Sequence, residues 1–381
     1  MSAHASPNII TDGLAFMYDT GSGKSYKGQP TANLINQMIG TTTISYPENV
    51  YISTATETNV ADSSAPGGQY SRFTGNTDSS NNQLYSRFNT ASIDVRNTTI
   101  TYSVYLKGSG TCHLTIYADN SGYGTSSTIT LTNEWTHYTY TRSVTNYTTN
   151  CWVAVRGILT TTDVYIAAQQ AEIKSHATQF VNGTRSATEG LIDRTNNATI
   201  DLSNASFDSD AQMVFDGTDD RIIFPAGTFP TIGTNDFTIE AVCKNTKTSS
   251  YNHFFSVQDQ YHFALKMQNT STRGMYVYRT SGLSTYSTVD ARLTSTTDYY
   301  HIVCKRAGDS IVIFVNGVNK GAKTGWDNIS IDNNLYPSYI GWGAGSEYTG
   351  GDIPIFKLYN RALTDEEVLQ NYNATKSRFG L

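Results

Sequence analysis

The acidic and histidine side chains are the first candidates for chemistry in this chain of 381 residues. Glycoside hydrolysis needs two carboxyl groups about 5 to 9.5 Å apart across the scissile bond. Glu240 lies in a run of alternating apolar and polar residues, 237–244, which offers no second carboxylate at a suitable spacing. His253, His262 and His301 also lie in alternating runs without a ligand or acid–base partner, so we predict structural roles for them. The sequence predicts a protein that is not an enzyme.

Three carboxylates stand close together in the segment 215–220, at Asp216, Asp219 and Asp220. Calcium binds several oxygen ligands from flexible loops, so these residues are candidate calcium ligands. The same residues are also typical of a turn, because Asp accepts hydrogen bonds from its own backbone and Gly217 readily adopts positive φ. We predict a turn, with a calcium site as the alternative, and no other cofactor.

Aromatic residues in loop-like sequence are the candidates for binding a small ligand such as a sugar. Such sites combine apolar contact with a few polar groups that fix orientation. The candidate glycan-binding residues are Trp326, Trp342, Tyr336, Tyr339 and Tyr348 in the second half, and Trp152 and Tyr123 in the first half. Taken singly, each of these residues is more typical of a contact in the core or in a subunit interface than of a contact with sugar.

The four cysteines divide equally between the two halves of the chain. Cys112 and Cys151 precede Cys243 and Cys304, and all four lie in strand-like runs. We predict buried free thiols that behave as small apolar residues, with one disulfide in each half as the alternative. Their spacing is too wide for the close ligand pairs of a zinc site.

The elements that must position these residues are mostly strands. The chain holds 26 tyrosines and only 15% charged residues, and alternating runs separated by Gly- and Asn-rich turns recur along it. Such a pattern predicts an all-β protein of antiparallel strands with many turns, and the length allows two sandwiches. In the segment 310–321, Asn316 and Gly317 form the strongest signal for a hairpin turn.

One short helix is predicted at the C-terminus. Thr364 and Glu367 have the spacing of a capping box, and Leu363 and Val368 have that of a hydrophobic staple. A strand at 353–358 precedes this helix, and we predict that residues 374–381 form a free tail.

Six motifs occur in an order that resembles the laminin-G-like, concanavalin A-type jelly roll. They are F-D-G-T-D-D-x-I at 215–222, F-T-I-E-A at 237–241, Y-Y-H-I-V at 299–303, V-N-G at 315–317, Y-I-G at 339–341 and the strand and helix from 353 onwards. The resemblance covers residues 190–372. It implies a jelly-roll fold, and in this family the T-I-E-A motif around Glu240 is not catalytic.

The first half resembles carbohydrate-binding modules of the family-four and family-nine type. The motifs are T-x-S-V-Y-L-K-G-S-G at 101–110, L-T-x-E-W-x-x-Y at 131–138 and Q-x-E-x-K-S-x-A-T-x-F at 170–180. Residues 12–19 instead resemble the opening strand of the laminin-G-like unit. We therefore predict that a binding-module-like sandwich at 37–185 is inserted between an opening strand in 1–36 and the laminin-G-like jelly roll at 186–373.

The charge pattern and the chain termini bear on partners. The net charge is −6 without basic runs, so we expect no nucleic-acid partner. The N-terminal residues lack the basic and apolar regions of a signal peptide, and no run of eighteen apolar residues occurs, so we expect no secretion and no membrane insertion.

The segments 174–185 and 358–381 resemble structural proteins of tailed bacteriophages. This resemblance implies a non-enzymatic virion protein, as a capsid decoration, fibre or tail appendage, with other virion proteins and host-surface or environmental glycans as partners. It also implies virion localisation and a homo-oligomer, with trimers common among fibres. The alternative is a secreted or cell-surface lectin-like protein that binds carbohydrate.

Overall fold

The structure is a computed structural model that describes residues 8–35, 56–74, 83–87, 93–147, 151–157, 163–247, 251–258, 262–268, 274–279, 285–293, 295–327 and 329–381. These residues group into two compact units. Unit 1 is formed from Met1–Gly28, Ala187–Asp208 and Gln212–Leu381, and unit 2 from Gln29–Ser186 and Ser209–Ala211.

The described part of the chain is mostly strand. Unit 1 begins with β1 (Leu14–Asp19). The strands of unit 2 are β2 (Thr31–Ala32), β3 (Thr56–Ala61), β4 (Gln69–Thr74), β5 (Gln83–Arg87), β6 (Thr98–Gly108), β7 (Thr111–Ala118), β8 (Gly122–Thr125), β9 (Ile129–Thr130), β10 (Thr136–Val144), β11 (Cys151–Arg156), β12 (Val164–Ile173) and β13 (Thr184–Arg185), with a 3₁₀ turn at Pro66–Gly68.

Unit 1 continues with β14 (Ser206–Phe207), β15 (Met213–Asp216), β16 (Ile222–Phe224), β17 (Phe237–Asn245), β18 (Tyr251–Val257), β19 (Phe263–Gln268), β20 (Gly274–Arg279), β21 (Thr285–Arg292), β22 (Tyr299–Ala307), β23 (Ser310–Val315), β24 (Val318–Lys323), β25 (Ser338–Ile340), β26 (Gly350–Tyr359) and helix α1 (Asp365–Phe379). Among the residues that the structure describes, no helix has both the length and the apolar character needed to cross a membrane.

Unit 1 is a sandwich of two antiparallel sheets. One sheet has the order β14-β15-β26-β17-β22-β23-β24, with β1 also paired to β26, and the other has the order β16-β25-β18-β19-β20-β21. Aromatic side chains from both sheets meet in the core, where the Phe255 and Phe356 rings lie 5.8 Å apart and the Phe237 and Phe263 rings 5.7 Å apart. The predicted all-β jelly-roll class is confirmed for this unit.

The first and last strands of unit 1 are neighbours. β1 runs antiparallel to β26, with Leu14 opposite Tyr359 and Asp19 opposite Ile355. β17 lies on the other side of β26. The sequence predicted this association of the strand at 14–18 with the strand at 353–358 across most of the chain.

Unit 2 is also built from antiparallel sheets. One has the order β10-β6-β12-β4-β3, a second has the order β5-β11-β7-β8 with β9 paired to β7, and β2 pairs with β13. Alternate residues of β6 are fully buried in the core of unit 2: Ile100, Tyr102, Val104 and Leu106. Residues 29–35 belong to unit 2 rather than to the opening segment 1–36, because β2 pairs with β13 and Ile35 lies in the core of unit 2.

Helix α1 has the predicted N-terminal cap. The Glu367 backbone N–H donates to Thr364 Oγ1 at 3.2 Å, and the Thr364 N–H donates to the Glu367 carboxylate at 2.8 Å. Leu363 and Val368 lie in one buried cluster between the helix and its sheet. The predicted free tail at 374–381 is wrong, because the helix continues to Phe379 and ends at Gly380, whose φ is 69°.

The hairpin between β23 and β24 has the turn that the sequence predicted. Asn316 and Gly317 have φ of 52° and 73°, which is the left-handed conformation required at both central positions of a type I′ turn. A side chain at Gly317 would lie 2.9 Å from the Tyr372 ring of helix α1. The turn is therefore closed against the helix as well as against its own strands.

The four cysteines are buried and free, as predicted. Burial raises the pKa of the Cys112 and Cys151 thiols to about 12. Burial also raises the pKa of Cys243 and Cys304. All four therefore act as small apolar core residues.

Candidate functional site

Three of the predicted glycan-binding residues meet beside β25 in unit 1. Tyr339 lies on β25, and Trp342 follows it on a loop that returns at Tyr348, where the two residues form an isolated antiparallel bridge. The Tyr339 and Trp342 rings are 4.6 Å apart and nearly perpendicular, and the Trp342 and Tyr348 rings are 6.1 Å apart. All three side chains are half-buried, so each keeps an exposed part.

Arg221 completes this group, which we call the Trp342 cluster (Arg221, Tyr339, Trp342 and Tyr348). Its guanidinium carbon lies 5.5 Å from the centre of the Trp342 ring and 5.7 Å from that of Tyr348. Its Nη1 donates to the Tyr348 hydroxyl at 2.9 Å. Sequence reasoning missed Arg221, because its position depends on the pairing of β16 with β25, in which Ile222 is opposite Ile340.

Buried polar residues of β18 hold the loop that carries Trp342 and Tyr348. The Ser256 hydroxyl donates to the Trp342 carbonyl at 2.6 Å, and the Thr349 hydroxyl donates to the His253 carbonyl at 2.8 Å. A Cβ atom at residue 343 would lie within 2.4 Å of the His253 ring, so only glycine fits there. The loop is therefore fixed to the sheet beneath it.

A hydrogen-bonded group of His253, Glu347 and Lys266 lies under the same loop. His253 Nε2 is 2.7 Å from the Glu347 carboxylate, and the Lys266 ammonium is 3.7 Å from it. Burial lowers the pKa of His253, although the hydrogen bond with Glu347 opposes this shift. Burial would raise the pKa of Glu347, but His253 and Lys266 outweigh that effect and lower it. This group gives His253 the structural role that the sequence predicted.

The acidic turn lies next to the Trp342 cluster. Asp216 accepts from the Thr218 N–H at 2.7 Å and Asp220 accepts from the Asp216 N–H at 2.6 Å, so the predicted turn is present. Burial raises the pKa of Asp220 to about 6, against the opposing effect of its hydrogen bonds. Ligand oxygens of Asp216, Asp219 and Asp220 lie within 4.8 Å of one another. Carboxylate oxygens at this spacing fit a hard cation such as calcium. The carboxylates of Asp216 and Asp220 already accept backbone hydrogen bonds within the turn.

Lys247 connects this turn to the cluster. Its ammonium donates to the Gly217 carbonyl at 2.9 Å and to the Tyr348 carbonyl at 2.8 Å. The acidic turn and the Trp342 cluster therefore form one continuous region of unit 1.

Two predicted aromatic residues lie elsewhere in unit 1. Trp326 is a core residue with 1% exposure, and its ring packs edge-on to Phe263. The prediction that Trp326 contacts a glycan is therefore wrong. The backbone N–H of Trp326 donates to the Asp309 carbonyl, and this bond holds the loop so that the side chain faces the core. Tyr336 is half-buried against the core and stacks on His262, with ring centres 4.3 Å apart.

A second aromatic group lies on the outer face of the β7-β11 pair in unit 2. We call it the Tyr123 platform (Tyr117, Tyr123, Trp152 and Arg156). The Tyr117 and Trp152 rings stack at 4.8 Å, the Tyr117 and Tyr123 rings lie 4.7 Å apart, and the Arg156 guanidinium lies 4.7 Å from the centre of the Tyr123 ring. Tyr123 is 55% exposed, whereas Trp152 is buried beneath it, so the prediction that Trp152 itself contacts a glycan is wrong. The sequence analysis did not identify Tyr117, although it lies on the face of β7 opposite the core residues Leu114 and Ile116.

Glu240 is bound within a buried network. Its Oε1 lies 2.5 Å from the Lys357 ammonium and 3.1 Å from His301 Nε2, and its Oε2 accepts from Asn371 of helix α1 at 2.7 Å. Burial alone would raise the pKa of Glu240, but Lys357 and His301 outweigh burial and lower the pKa to about 2. The carboxylate stabilises the contact between helix and sheet and is closed to substrate.

Comparisons with known proteins agree with this fold. The family model described as concanavalin A-like lectin/glucanases superfamily matches residues 216–369. A search of curated proteins found no match to the chain. The chain therefore contains a concanavalin A-like jelly roll within unit 1.

Solved structures similar to the chain include three domains of larger proteins. Domain 4 of AbnA, an extracellular arabinanase from Geobacillus stearothermophilus solved with arabinotriose, is 13% identical, with a TM-score of 0.38 over 49% of this chain and 93% of that one. The binding domain of Paraclostridial Mosquitocidal Protein 1 is 15% identical, with a TM-score of 0.41 over 48% of this chain and 49% of that one. A CBM40 domain of a Ruminococcus gnavus sialidase, bound to sialyllactose, is 18% identical, with a TM-score of 0.32 over 36% and 84%.

Proposed function

We propose that the chain is a non-enzymatic glycan-binding protein and that the Trp342 cluster is its main site. The observation that carries this proposal is the convergence of three half-exposed aromatic rings and an arginine on one rigid loop region. Aromatic faces supply apolar contact to a sugar, while the arginine and the tyrosine hydroxyls supply directed hydrogen bonds. A loop that is already fixed to its sheet loses little conformational entropy on binding.

The burial of Glu240 supports the proposal that the protein is not an enzyme. A general acid or nucleophile must reach the reacting bond, and this carboxylate is fully buried between Lys357, His301 and Asn371. Glu240 therefore contributes to stability rather than to catalysis.

The Tyr123 platform is proposed as a second glycan site, in unit 2. Tyr123 is among the most exposed large aromatic side chains in the described part of the chain, and it has a stacked Tyr117–Trp152 pair beside it. An exposed ring supported by buried rings offers a rigid apolar surface to a sugar face.

A glycan array with matched variants tests the proposal. We expect Trp342→Ala to weaken binding at the main site by about tenfold or more, because a large stacking surface is lost. Tyr336→Ala is the control, since Tyr336 is a half-buried tyrosine of the same unit outside the cluster, and it should leave binding unchanged. Absence of binding by the intact protein across a broad array would overturn the proposal, as would equal effects of both variants.

We further propose that the protein is part of a bacteriophage particle, as a capsid decoration, fibre or tail appendage. This proposal is supported by the resemblance of the segments 174–185 and 358–381 to tailed-phage structural proteins. Its partners would be other virion proteins and copies of itself in a symmetric assembly, and its location the virion. Mass spectrometry of purified particles tests it, because a secreted or cell-surface lectin would be missing from them.

A further inference from the structure

Arg156 is the charged residue of the Tyr123 platform. It differs from Arg221, Lys247, Lys266 and Lys357, each of which has a hydrogen-bond or ion-pair partner. In the part of the chain that the structure describes, the guanidinium of Arg156 makes a ring contact with Tyr123 and no hydrogen bond or ion pair. A guanidinium carries five N–H donors in a planar fork that matches a carboxylate. Arg156 is half-buried at the end of β11, so part of its side chain stays exposed.

No carboxylate of the described residues lies within ion-pair distance of Arg156. Its opposite neighbour across β7 is His113, and the Tyr117 and Tyr123 hydroxyls beside it have no hydrogen-bond partners there. The Trp342 cluster is the opposite case. Arg221 already donates to Tyr348, and the exposed Asp216 and Asp219 lie on the turn that precedes it.

We propose that the Tyr123 platform binds an acidic sugar, a uronic or sialic acid, whose carboxylate is held by Arg156. This inference rests on the proposed glycan-binding function and adds the ligand class and the residue that determines it. The sugar ring would pack on Tyr123, and its carboxylate would accept two parallel N–H bonds from the guanidinium. Bidentate, charge-assisted hydrogen bonds are stronger and more directional than neutral ones. The negative turn beside Arg221 disfavours the same ligand in unit 1.

Matched acidic and neutral glycans test this proposal on the full chain. The probes are oligogalacturonate and sialyllactose, each measured against its neutral counterpart, carboxyl-reduced oligogalacturonate and lactose. We expect the intact protein to prefer the acidic member by about tenfold, and the preference to shrink as salt is raised. Arg156→Gln should abolish the preference, and Arg156→Lys should keep part of it, because the charge remains without the fork. Arg72→Gln is the matched control and should preserve the preference, because Arg72 also lies over a tyrosine ring of unit 2, that of Tyr165, but its guanidinium is paired with Asp163.

The outcomes separate this inference from the function on which it rests. Equal binding of acidic and neutral members, lost in Tyr123→Ala, would overturn the role of Arg156 and leave glycan binding intact. Loss of the acidic preference in Arg72→Gln but not in Arg156→Gln would also overturn it. No binding of any probe or of any glycan on a broad array would overturn the proposed function as well.

Discussion

The ammonium of Lys357 lies 2.5 Å from the carboxylate of Glu240, and neither side chain is exposed. The two residues are opposite each other on β26 and β17, under helix α1. A buried ion pair is costly to break, because removing one partner leaves the other charge buried without compensation. The side chain of Asn371 also contacts the pair: its amide N–H donates to Glu240, and its carbonyl oxygen accepts from the Ile10 N–H, so it ties the helix to both the sheet and Ile10.

Removal of the Glu240 charge should destabilise unit 1 strongly. We expect Glu240→Gln to lower the free energy of unfolding by about 3 to 5 kcal/mol, because Lys357 stays buried without its counter-charge. The double variant Glu240→Gln with Lys357→Met should recover much of this loss. Urea unfolding measured by tryptophan fluorescence checks both values. A single variant as stable as the parent protein would contradict the assigned role of the pair.

The capping box of helix α1 should contribute measurably to stability. Thr364→Ala removes the acceptor for the Glu367 N–H and should cost about 1 kcal/mol. Thr364→Ser keeps a hydroxyl in the same place and should cost much less. Thermal unfolding of the two variants side by side checks the difference. Equal losses would mean that the methyl group of Thr364, rather than its hydrogen bond, is the stabilising element.

Local sequence patterns predicted the features whose physics is local. The capping box at Thr364 and Glu367 and the turn at Asn316 and Gly317 each depend on a few adjacent residues, and both are present. The C-terminal end of the helix had a signal that was overlooked, since Gly380 follows two basic residues in the last turn. Reading it would have replaced the predicted tail with helix.

The positions of the candidate site residues depend on contacts between strands that are distant in the chain. The sequence predicted these positions less well. Trp326 and Trp342 both stand in glycine-rich sequence, yet one is in the core and the other is half-exposed. The difference follows from which strand each loop packs against, and a single sequence does not contain that information. Arg221 and Arg156 were missed for the same reason, because each reaches its aromatic partner across a sheet pairing.

The buried carboxyl of Asp220 should give unit 1 a distinct pH dependence. Because its folded-state pKa of about 6 lies above its ordinary value of 3.8, the folded protein binds more protons than the unfolded chain between these values. This contribution to stability is complete below pH 3.8 and is lost as the pH rises through 6. Asp220→Asn should remove that loss, whereas Asp219→Asn, at an exposed position, should not. Urea unfolding across this pH range checks the prediction.

Calcium provides a separate test of the same turn. If the carboxylates serve the turn alone, as we predict, millimolar calcium should leave the unfolding temperature at pH 7.5 unchanged within error. A clear rise with calcium and none with magnesium would instead support the calcium alternative, because a cation bound only to the folded state stabilises it. Asp216→Asn and Asp219→Asn would then reduce the rise.

Removal of unit 2 should leave a foldable protein only if the first strand is kept. Tyr26 pairs with Leu191, and the Lys27 N–H donates to the Gly190 carbonyl at 2.8 Å, so the chain leaves and re-enters unit 1 at neighbouring points. A variant in which a short Gly-Ser linker replaces residues 29–186 should therefore unfold cooperatively, because such a linker closes a small gap at little entropic cost.

The matched fragment 187–381 provides the contrast that decides the point. It lacks β1, so one side of β26 loses its partner from Ile355 to Tyr359, and the fully buried Phe16 and Tyr18 are missing from the core. Loss of two buried aromatic side chains costs about 3 to 5 kcal/mol each in a well-packed core, which is comparable with the whole stability of a domain. We expect this fragment to be unfolded or aggregated by circular dichroism and gel filtration. If it were as stable as the linked variant, β1 would be dispensable and the predicted insertion of one domain into the other would be wrong.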